Sequence, residues 1–344
     1  MTETPTLPGI DVVIPALNAA SQLQQVLRPL VGNPEVERVL VVDAGSEDRT
    51  SELAGELGAE VLELGERAGP ATARNRGAAI ATAELILFLD ADCVPDPGLP
   101  KRVRSTFAVE PGLVSLCGSY DADPPAKGFF SQYMNLRHHF THQHASVGPT
   151  FWAGCGAVRR SAFESVGGFD EDRYPLPEIE DVELGLRLRK LGSQRLDPLL
   201  QVKHLKAWSL RSVVTTDIFH RAMPWSRLIL ERREIPRDLN LRLSQRIAAP
   251  LAGPALLSLP GGAIAAALRA PSALIACLAL LVTSVMLNRP MLLFFKRQRG
   301  WAFAVGAWFF HQIHLLYSGL TFLVCWLTHL RDRGSARPTD KPCD

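Results

Sequence analysis

Short apolar runs alternate with polar, helix-like stretches over the first two hundred positions of the chain. Asp11–Pro15 (DVVIP) is rich in β-branched residues and predicts a first strand. A polar helix from about Ala19 to Leu30 is expected next, then a second strand over Val36–Val42 (VERVLVV) that ends at Asp43. Thr50–Leu57 predicts a helix, Glu60–Leu64 a third strand, and Ala71–Ala81 a helix packed closely through Gly77 and its alanines. Leu85–Leu89 (LILFL) is strongly apolar and predicts a fourth strand. This alternation is the pattern of an α/β domain built on a largely parallel sheet. Ligands of such sheets sit beyond the carboxyl ends of the strands, so Pro15–Asn18, Asp43–Asp48 and Asp90–Asp92 are expected to converge on one crevice. Further on, Phe151–Val158 (FWAGCGAV) is a glycine-containing segment, and Ile179–Leu191 predicts an amphipathic helix with acidic residues in its first turn.

The pattern changes after Arg246, where charged residues give way to apolar stretches broken by short basic clusters. Ile247–Leu268 is long enough to cross a bilayer, which takes roughly 20 residues, although Pro250, Pro254 and Pro260 predict a bent or broken span. A second stretch runs from Ser272 to Leu287, extendable through Met291–Phe295, and a third from Trp301 to Leu330. The organisation expected is a catalytic α/β domain over 1–206, a basic amphipathic juxtamembrane segment over 207–246, two to three spans over 247–330 and a polar tail over 331–344. Between Lys203 and Arg246 basic residues outnumber acidic ones ten to four, with Trp208, Phe219 and Trp225 among them. That composition suits an anionic membrane surface better than a merely solvated helix. Arg242, Arg246, Lys296, Arg297 and Arg299 flank the first two stretches as a hairpin with cytoplasmic ends requires. Three full spans put the C-terminus outside, whereas Arg331, Arg333 and Arg337 favour the inside, so these two cues oppose each other. His311 and His314 are costly in lipid and are expected to face another helix or an acceptor channel.

Composition narrows the function. A formal charge of +2 and no basic strip interleaved with aromatics in the first two hundred residues argue against nucleic acid as a partner. The six cysteines lie far apart without CxxC spacing, which argues for reduced thiols and against a zinc site. Met1–Gly9 lacks a basic start followed by an apolar run, so no cleavable signal peptide is expected.

The candidate chemistry centres on Asp90-Ala91-Asp92, where an apolar strand delivers two carboxylates at alternate positions to one edge of the sheet. Such a pair suits Mg²⁺ or Mn²⁺ bridging diphosphate oxygens, because phosphate and water complete the shell. Taken alone, the same triplet is also an ordinary solvated turn. Val41–Ser46 adds an acid and a tight polar turn able to hydrogen-bond a base or ribose, although Asp43 by itself suits a helix N-cap better. Arg74-Asn75-Arg76-Gly77 puts guanidinium groups on a helix within reach of a diphosphate.

VVIPALN (Val12–Asn18), VVDAGSEDRT (Val41–Thr50), ARNRGA (Ala73–Ala78), LFLDAD (Leu87–Asp92), GGFDE (Gly167–Glu171) and EIEDVELGLRLRKLG (Glu178–Gly192) together resemble the family 2 glycosyltransferases, whose fold is called GT-A. The resemblance covers about Ile10 to Lys206, with the motifs in the family's order. It implies a nucleotide pocket lined by Pro15, Ala16, Asn18, Asp43, Ser46 and Arg74, with Asp90 and Ala91 against the nucleotide-sugar. It makes Asp92 the principal metal ligand beside Asp90, with His204 as a further ligand or as a charge on the leaving nucleotide; a plain surface histidine is the alternative. Asp181 matches the base that deprotonates the acceptor hydroxyl in these inverting enzymes. A carboxylate near pKa 4 is a weak base, so burial or the charge of Glu180 and Glu183 is expected to raise it. Without the resemblance, Glu180 and Asp181 would simply favour the positive end of their helix. Trp152 and Gly154, with Gly156 and Glu180, match the acceptor side, though Trp152 suits a core equally.

Processive synthases of the family carry a Gln-x-x-Arg-Trp motif after the base; Trp208–Arg246 has none, and His220–Trp225 is only a loose echo, which favours transfer of a single sugar. The apolar stretches after Arg246 and the basic, aromatic belt before them predict a multi-pass enzyme of the cytoplasmic membrane, with its catalytic domain in the cytoplasm. Its donor would be a nucleotide-sugar and its acceptor a membrane lipid or lipid-linked saccharide. A polysaccharide-assembly transferase using the membrane only as an anchor is the alternative within the family. A nucleotidyltransferase would need a glycine-rich basic loop after the first strand, which Ala16–Ala20 does not offer, and an inactive scaffold would be expected to have lost Asp92 or Asp181.

Overall fold

In the computed structural model, which describes residues 7–144, 150–232 and 243–335, the apolar runs of the first half become the centre of one sheet. β1 (Ile10–Ala16) pairs in parallel with β2 (Arg38–Asp43) on one side and with β4 (Leu85–Leu89) on the other, and β2 pairs in parallel with β3 (Glu60–Glu63). Val12, Val13, Ile14 and all of Leu85–Leu89 are fully buried, as strands covered on both faces require. α1 (Ala20–Leu27), α2 (Thr50–Glu56) and α3 (Pro70–Ile80) connect them. Proline at the first turn starts α3 with a preset φ. Gly77 then lets it lie directly on the sheet, since a Cβ there would fall 2.4 Å from Val13 Cγ1 and 2.9 Å from Val42 Cγ2.

Beyond β4 the sheet is mixed rather than parallel. The short β5 (Cys93–Pro95), α4 (Leu99–Val109), β6 (Leu113–Tyr120), α5 (Phe129–Gln143), β7 (Cys155–Arg159), α6 (Arg160–Ser165), α7 (Glu180–Leu188) and β8 (Ser193–His204) follow in order. The eight strands lie in the order β3-β2-β1-β4-β7-β6-β8-β5. β7 runs antiparallel to both β4 and β6, β8 runs parallel to β6, and β5 runs antiparallel to β8. The glycine-containing segment is thus a central strand, Cys155–Arg159, entered by an irregular stretch over 151–154. Three acidic residues in the first turn of α7 favour the positive end of that helix.

The chain forms two compact units, Met1–Ser209 and Leu210–Asp344. The second consists of α8 (Leu210–Thr215), a π-helical stretch (Thr216–Ala222), α9 (Met223–Arg232), α10 (Leu243–Ala267) and α11 (Pro271–Ser335). α11 is interrupted at Gly300, whose φ of 84° and ψ of 177° break the helix between the second and third apolar stretches. Of the bent or broken span expected, α10 removes the broken alternative: it runs through Pro250, Pro254 and Pro260 as one helix. Ser244–Ala267 and Pro271–Asp332 are long and apolar enough to cross a membrane. Within this unit Asp217 is buried, accepts a hydrogen bond from the Tyr317 hydroxyl at 2.7 Å, and lies 3.0 Å from His314 Nδ1 and 3.2 Å from Arg221 Nη1. His311 Nε2 lies 3.3 Å from Gln245 Oε1, so both histidines face neighbouring helices. Arg242, Arg337 and the part of the juxtamembrane segment over 233–242 lie outside the described residues.

Candidate active site

Parallel pairing brings the ends of β1, β2 and β4 to one edge of the sheet, and the loops beyond them carry the expected nucleotide residues. Pro15 and Ala16 close β1 in register with Val42 and Asp43. The next residues are joined to the β2–α2 loop by reciprocal bonds: Asn18 N donates to Ser46 Oγ at 2.9 Å, and Glu47 N donates to Asn18 Oδ1 at 2.8 Å. α1 has no cap of its own. Its first amides at Ala19 and Ala20 donate instead to Thr50 Oγ1 at 2.8 Å and Asp48 Oδ2 at 3.2 Å. Asp43, 6% exposed, accepts from Ser46 N at 2.8 Å and from the Ser51 hydroxyl, so its carboxylate organises the turn. Burial alone would raise this carboxyl, but the Ser51 and Ser46 hydrogen bonds outweigh it and hold the pKa low. Gly45 is required here, with φ of 85° and a Cβ position 2.7 Å from the Glu66 backbone.

Asp90 and Asp92 stand beyond β4 with side chains 34% and 26% exposed. One ligand atom from each of Asp90, Asp92 and Cys93 lies within 4.8 Å of the others. The Cys93 thiol, 3.7 Å from Asp92 Oδ1, is fully buried, and burial followed by the charge of Asp92 pushes its pKa up. The carboxylates are therefore the donors. Cys93 pairs with His204 across the β5–β8 ladder, which brings His204 Nε2 to 3.4 Å from Asp92 Oδ2. Burial opposes ionisation of Asp92, yet His204 and then Lys206 outweigh it and hold the carboxyl below its usual range. Two hard carboxylates with an adjacent imidazole nitrogen fit a divalent cation of the Mg²⁺ or Mn²⁺ kind.

Arg74 bridges the two carboxylate groups of the cluster. Its side chain is 5% exposed, and Nη2 donates to Asp90 Oδ1 and Nη1 to Glu180 Oε1, each at 2.8 Å. The guanidinium is thus engaged by two carboxylates. Arg76, grouped with it in the sequence, pairs with Glu171 at 3.1 Å, away from this cluster. Asp181 is partly buried beside Glu180. Its Oδ2 accepts from Ala153 N at 3.2 Å and its Oδ1 from Val182 N at 2.8 Å. Burial, and after it the charge of Glu180, raise its pKa to about 7 against the pull of Arg74.

Residues 152–154 link the two halves of the cluster, since Gly154 O accepts from Asp90 N at 3.3 Å while Ala153 N holds Asp181. The Trp152 indole lies over Gly154, where a Cβ would come within 2.6 Å of Cζ2. The same ring meets Tyr120 edge-on at 4.8 Å and His142 at 5.0 Å, and Tyr120 stacks on His204 at 4.2 Å. Burial lowers the His142 pKa to about 4, so it joins this wall as a neutral imidazole. Ala91 packs from its partly buried position against the adjoining core. The site residues expected from the sequence fall on the β1–β2–β4 edge, on the 152–154 segment, on β7 (Gly156), or on α3, α7 and β8 around it. Tyr120, His142 and Phe169 were missed; only Phe169 carried a signal, through the GGFDE motif.

Residues 11–167 match the family described as "Glycosyl transferase family 2". The pre-mycofactocin glycosyltransferase of Mycobacterium tuberculosis is 31% identical over 232 residues, 63% of this chain and 47% of that protein. Glycosyltransferase AglE of Haloferax volcanii is 35% identical over 113 residues, 30% of this chain and 37% of that protein. The match therefore spans less than half the length of either relative. Among solved structures, the mannosyltransferase PcManGT from Pyrobaculum calidifontis in complex with GDP-Man and Mn²⁺ superposes with a TM-score of 0.56 at 20% identity, covering 92% of this chain and 88% of that one. At that identity the likeness concerns the fold.

Proposed function

Since residues 11–167 form a glycosyl transferase family 2 domain on a GT-A fold, we propose that the protein is an inverting glycosyltransferase that moves one sugar from a nucleotide-sugar to a membrane lipid or lipid-linked saccharide. The observation that carries the reading is the linkage through residues 152–154 of a carboxylate pair fit for a cation to a carboxyl of pKa about 7. The zipped loops of β1 and β2 hold the nucleoside, with Asp43, Ser46 and Asn18 setting their shape. Asp90 and Asp92, with His204 beside them, hold the cation, which when bound offsets the charge of the leaving diphosphate. Asp181 takes the proton from the acceptor hydroxyl as its oxygen attacks the anomeric carbon. The bond from that carbon to the diphosphate oxygen breaks on the opposite face, and its electron pair leaves with the nucleoside diphosphate. The Trp152–Tyr120 wall flanks the acceptor and excludes water from the reacting carbon.

The lipid acceptor and the membrane location rest on the second unit. Leu257, Leu268, Ile275 and Trp301 are each more than 60% exposed on its apolar helices, a surface suited to lipid. The basic, aromatic stretch before them suits a cytoplasmic leaflet. The test incubates the purified full chain and Mn²⁺ with a panel of nucleotide-sugars, with and without extracted lipids. Labelled sugar is expected in the lipid fraction with inverted anomeric configuration. Donor turnover with no label in lipid overturns the acceptor, and retained configuration overturns the role of Asp181.

A further inference from the structure

Arg74 occupies an unusual electrostatic position: one guanidinium, 5% exposed, divided between a carboxylate of the cation pair and a carboxylate of the helix that carries the base. Three features fix it there. α3 is held on the sheet by the contact of Gly77 with Val13. The Phe169 ring lies 5.5 Å from Arg74 Cζ. Phe169 is in turn clamped by the neighbour of Arg74, because Asn75 Oδ1 accepts from Phe169 N and Asn75 Nδ2 donates to Phe169 O, both at 2.9 Å. The guanidinium therefore has little room to follow one partner away from the other. Glu180 is equally fixed: it is 5% exposed, and its second oxygen accepts from Glu178 N at 2.9 Å.

We propose that Arg74 is a shared counter-ion, a positioning residue through which cation binding at Asp90–Asp92 and the first turn of α7 are energetically coupled. A cation at Asp90 competes with the guanidinium for the same carboxylate. As it weakens the hold of Arg74 on Asp90, it leaves more of that positive charge to Glu180 and tightens the start of α7. Coupling of this kind is reciprocal, so a change at Glu180 must alter cation affinity although Glu180 does not touch the cation pair. Neutralising Glu180 leaves the whole guanidinium charge to Asp90, which then competes more strongly with the incoming cation. The inference rests on the cation site proposed above and adds a role for Arg74 distinct from contacting a diphosphate.

The test titrates the full chain in detergent with Mn²⁺ alone, reading free Mn²⁺ by electron paramagnetic resonance, for wild type, Asp92→Asn and Glu180→Gln. Wild type is expected to bind, Asp92→Asn to lose most affinity, and Glu180→Gln to bind at least fivefold more weakly than wild type. A smaller change in Glu180→Gln, with Asp92→Asn impaired, overturns the coupling and leaves the cation site standing. Undiminished binding by Asp92→Asn, or none by wild type, overturns both. A second measurement does not depend on any variant folding: saturating Mn²⁺ should slow hydrogen exchange of the amides of residues 182–185 in wild type. Unchanged exchange there overturns the coupling.

Discussion

Sugar transfer should follow the ionisation of Asp181. Burial, and then the charge of Glu180, raise this carboxyl from the usual 3.8 to about 7. A general base acts only when ionised, so kcat/KM should climb about tenfold per pH unit below 7 and level off above it. At pH 5 a carboxyl of pKa about 7 is roughly 1% ionised, whereas an ordinary one is more than roughly 90% ionised. The fall in rate from pH 8 to pH 5 is then about 100-fold, against less than about twofold for an unperturbed base. Release of nucleoside diphosphate measures this, with Mn²⁺ held saturating at every pH so that loss of cation from Asp92 is not mistaken for protonation of the base. Glu180→Gln removes the second cause of the shift and should move the acid limb to lower pH. The same raised pKa has a stability consequence of fixed sign. The folded protein holds this proton more tightly than the unfolded chain, so the penalty is absent below about pH 3.8, grows as pH rises and is complete above about 7. It is at most about 4 kcal/mol, less what solvent screens at this partly exposed side chain. Asp181→Asn should therefore abolish transfer, keep donor binding and raise the melting temperature at pH 8. A rate that stays flat from pH 8 to pH 5 would refute the assignment.

Three further outcomes follow from the geometry. Asp92→Asn should lose Mn²⁺-dependent transfer, and full activity at saturating Mn²⁺ would show that Asp92 is not a ligand. Gly154→Ala places a Cβ 2.6 Å from the Trp152 indole and should cost about 1–3 kcal/mol while shifting Trp152 fluorescence. Its kcat should fall more than its donor affinity, and an unchanged kcat would remove Trp152 from the acceptor wall. Asp217→Ala leaves Arg221 and His314 without their shared carboxylate and should destabilise the second unit by about 3 kcal/mol; a melting profile equal to wild type would show the network is not structural.

How far the sequence can be read follows from where polar groups fall. β1, β2 and β4 were legible because their interiors are almost wholly apolar and each ends in turn residues, and β3, with only Val61 and Leu62 between two exposed glutamates, was legible from its place in the alternation. β6 was not, since Ser115, Ser119 and Gly118 interrupt a strand whose every residue is buried. β8 hides behind Asp197 and Pro198, which sit where its register against β6 shifts. α5 lost its helical period because Gln132 and Asn135, buried and polar, bond the carbonyls of Ala126 and Asp121 in the preceding loop. The site residues were legible as types in a fixed order, and the strand ends supplied their common edge. The partners of Arg74 were not: Glu180 lies 106 positions away, and only the folded chain puts one guanidinium between it and Asp90.

The reciprocal bonds between the β1–α1 and β2–α2 loops limit how the proposed nucleotide pocket can be altered. The first amides of α1 depend on Asp48 and Thr50, and the amide of Glu47 depends on Asn18. Neither loop keeps its shape if the other is exchanged. A chimaera made to accept another nucleotide would have to transplant residues 15–20 and 43–51 together from one parent, as though they were a single discontinuous cassette.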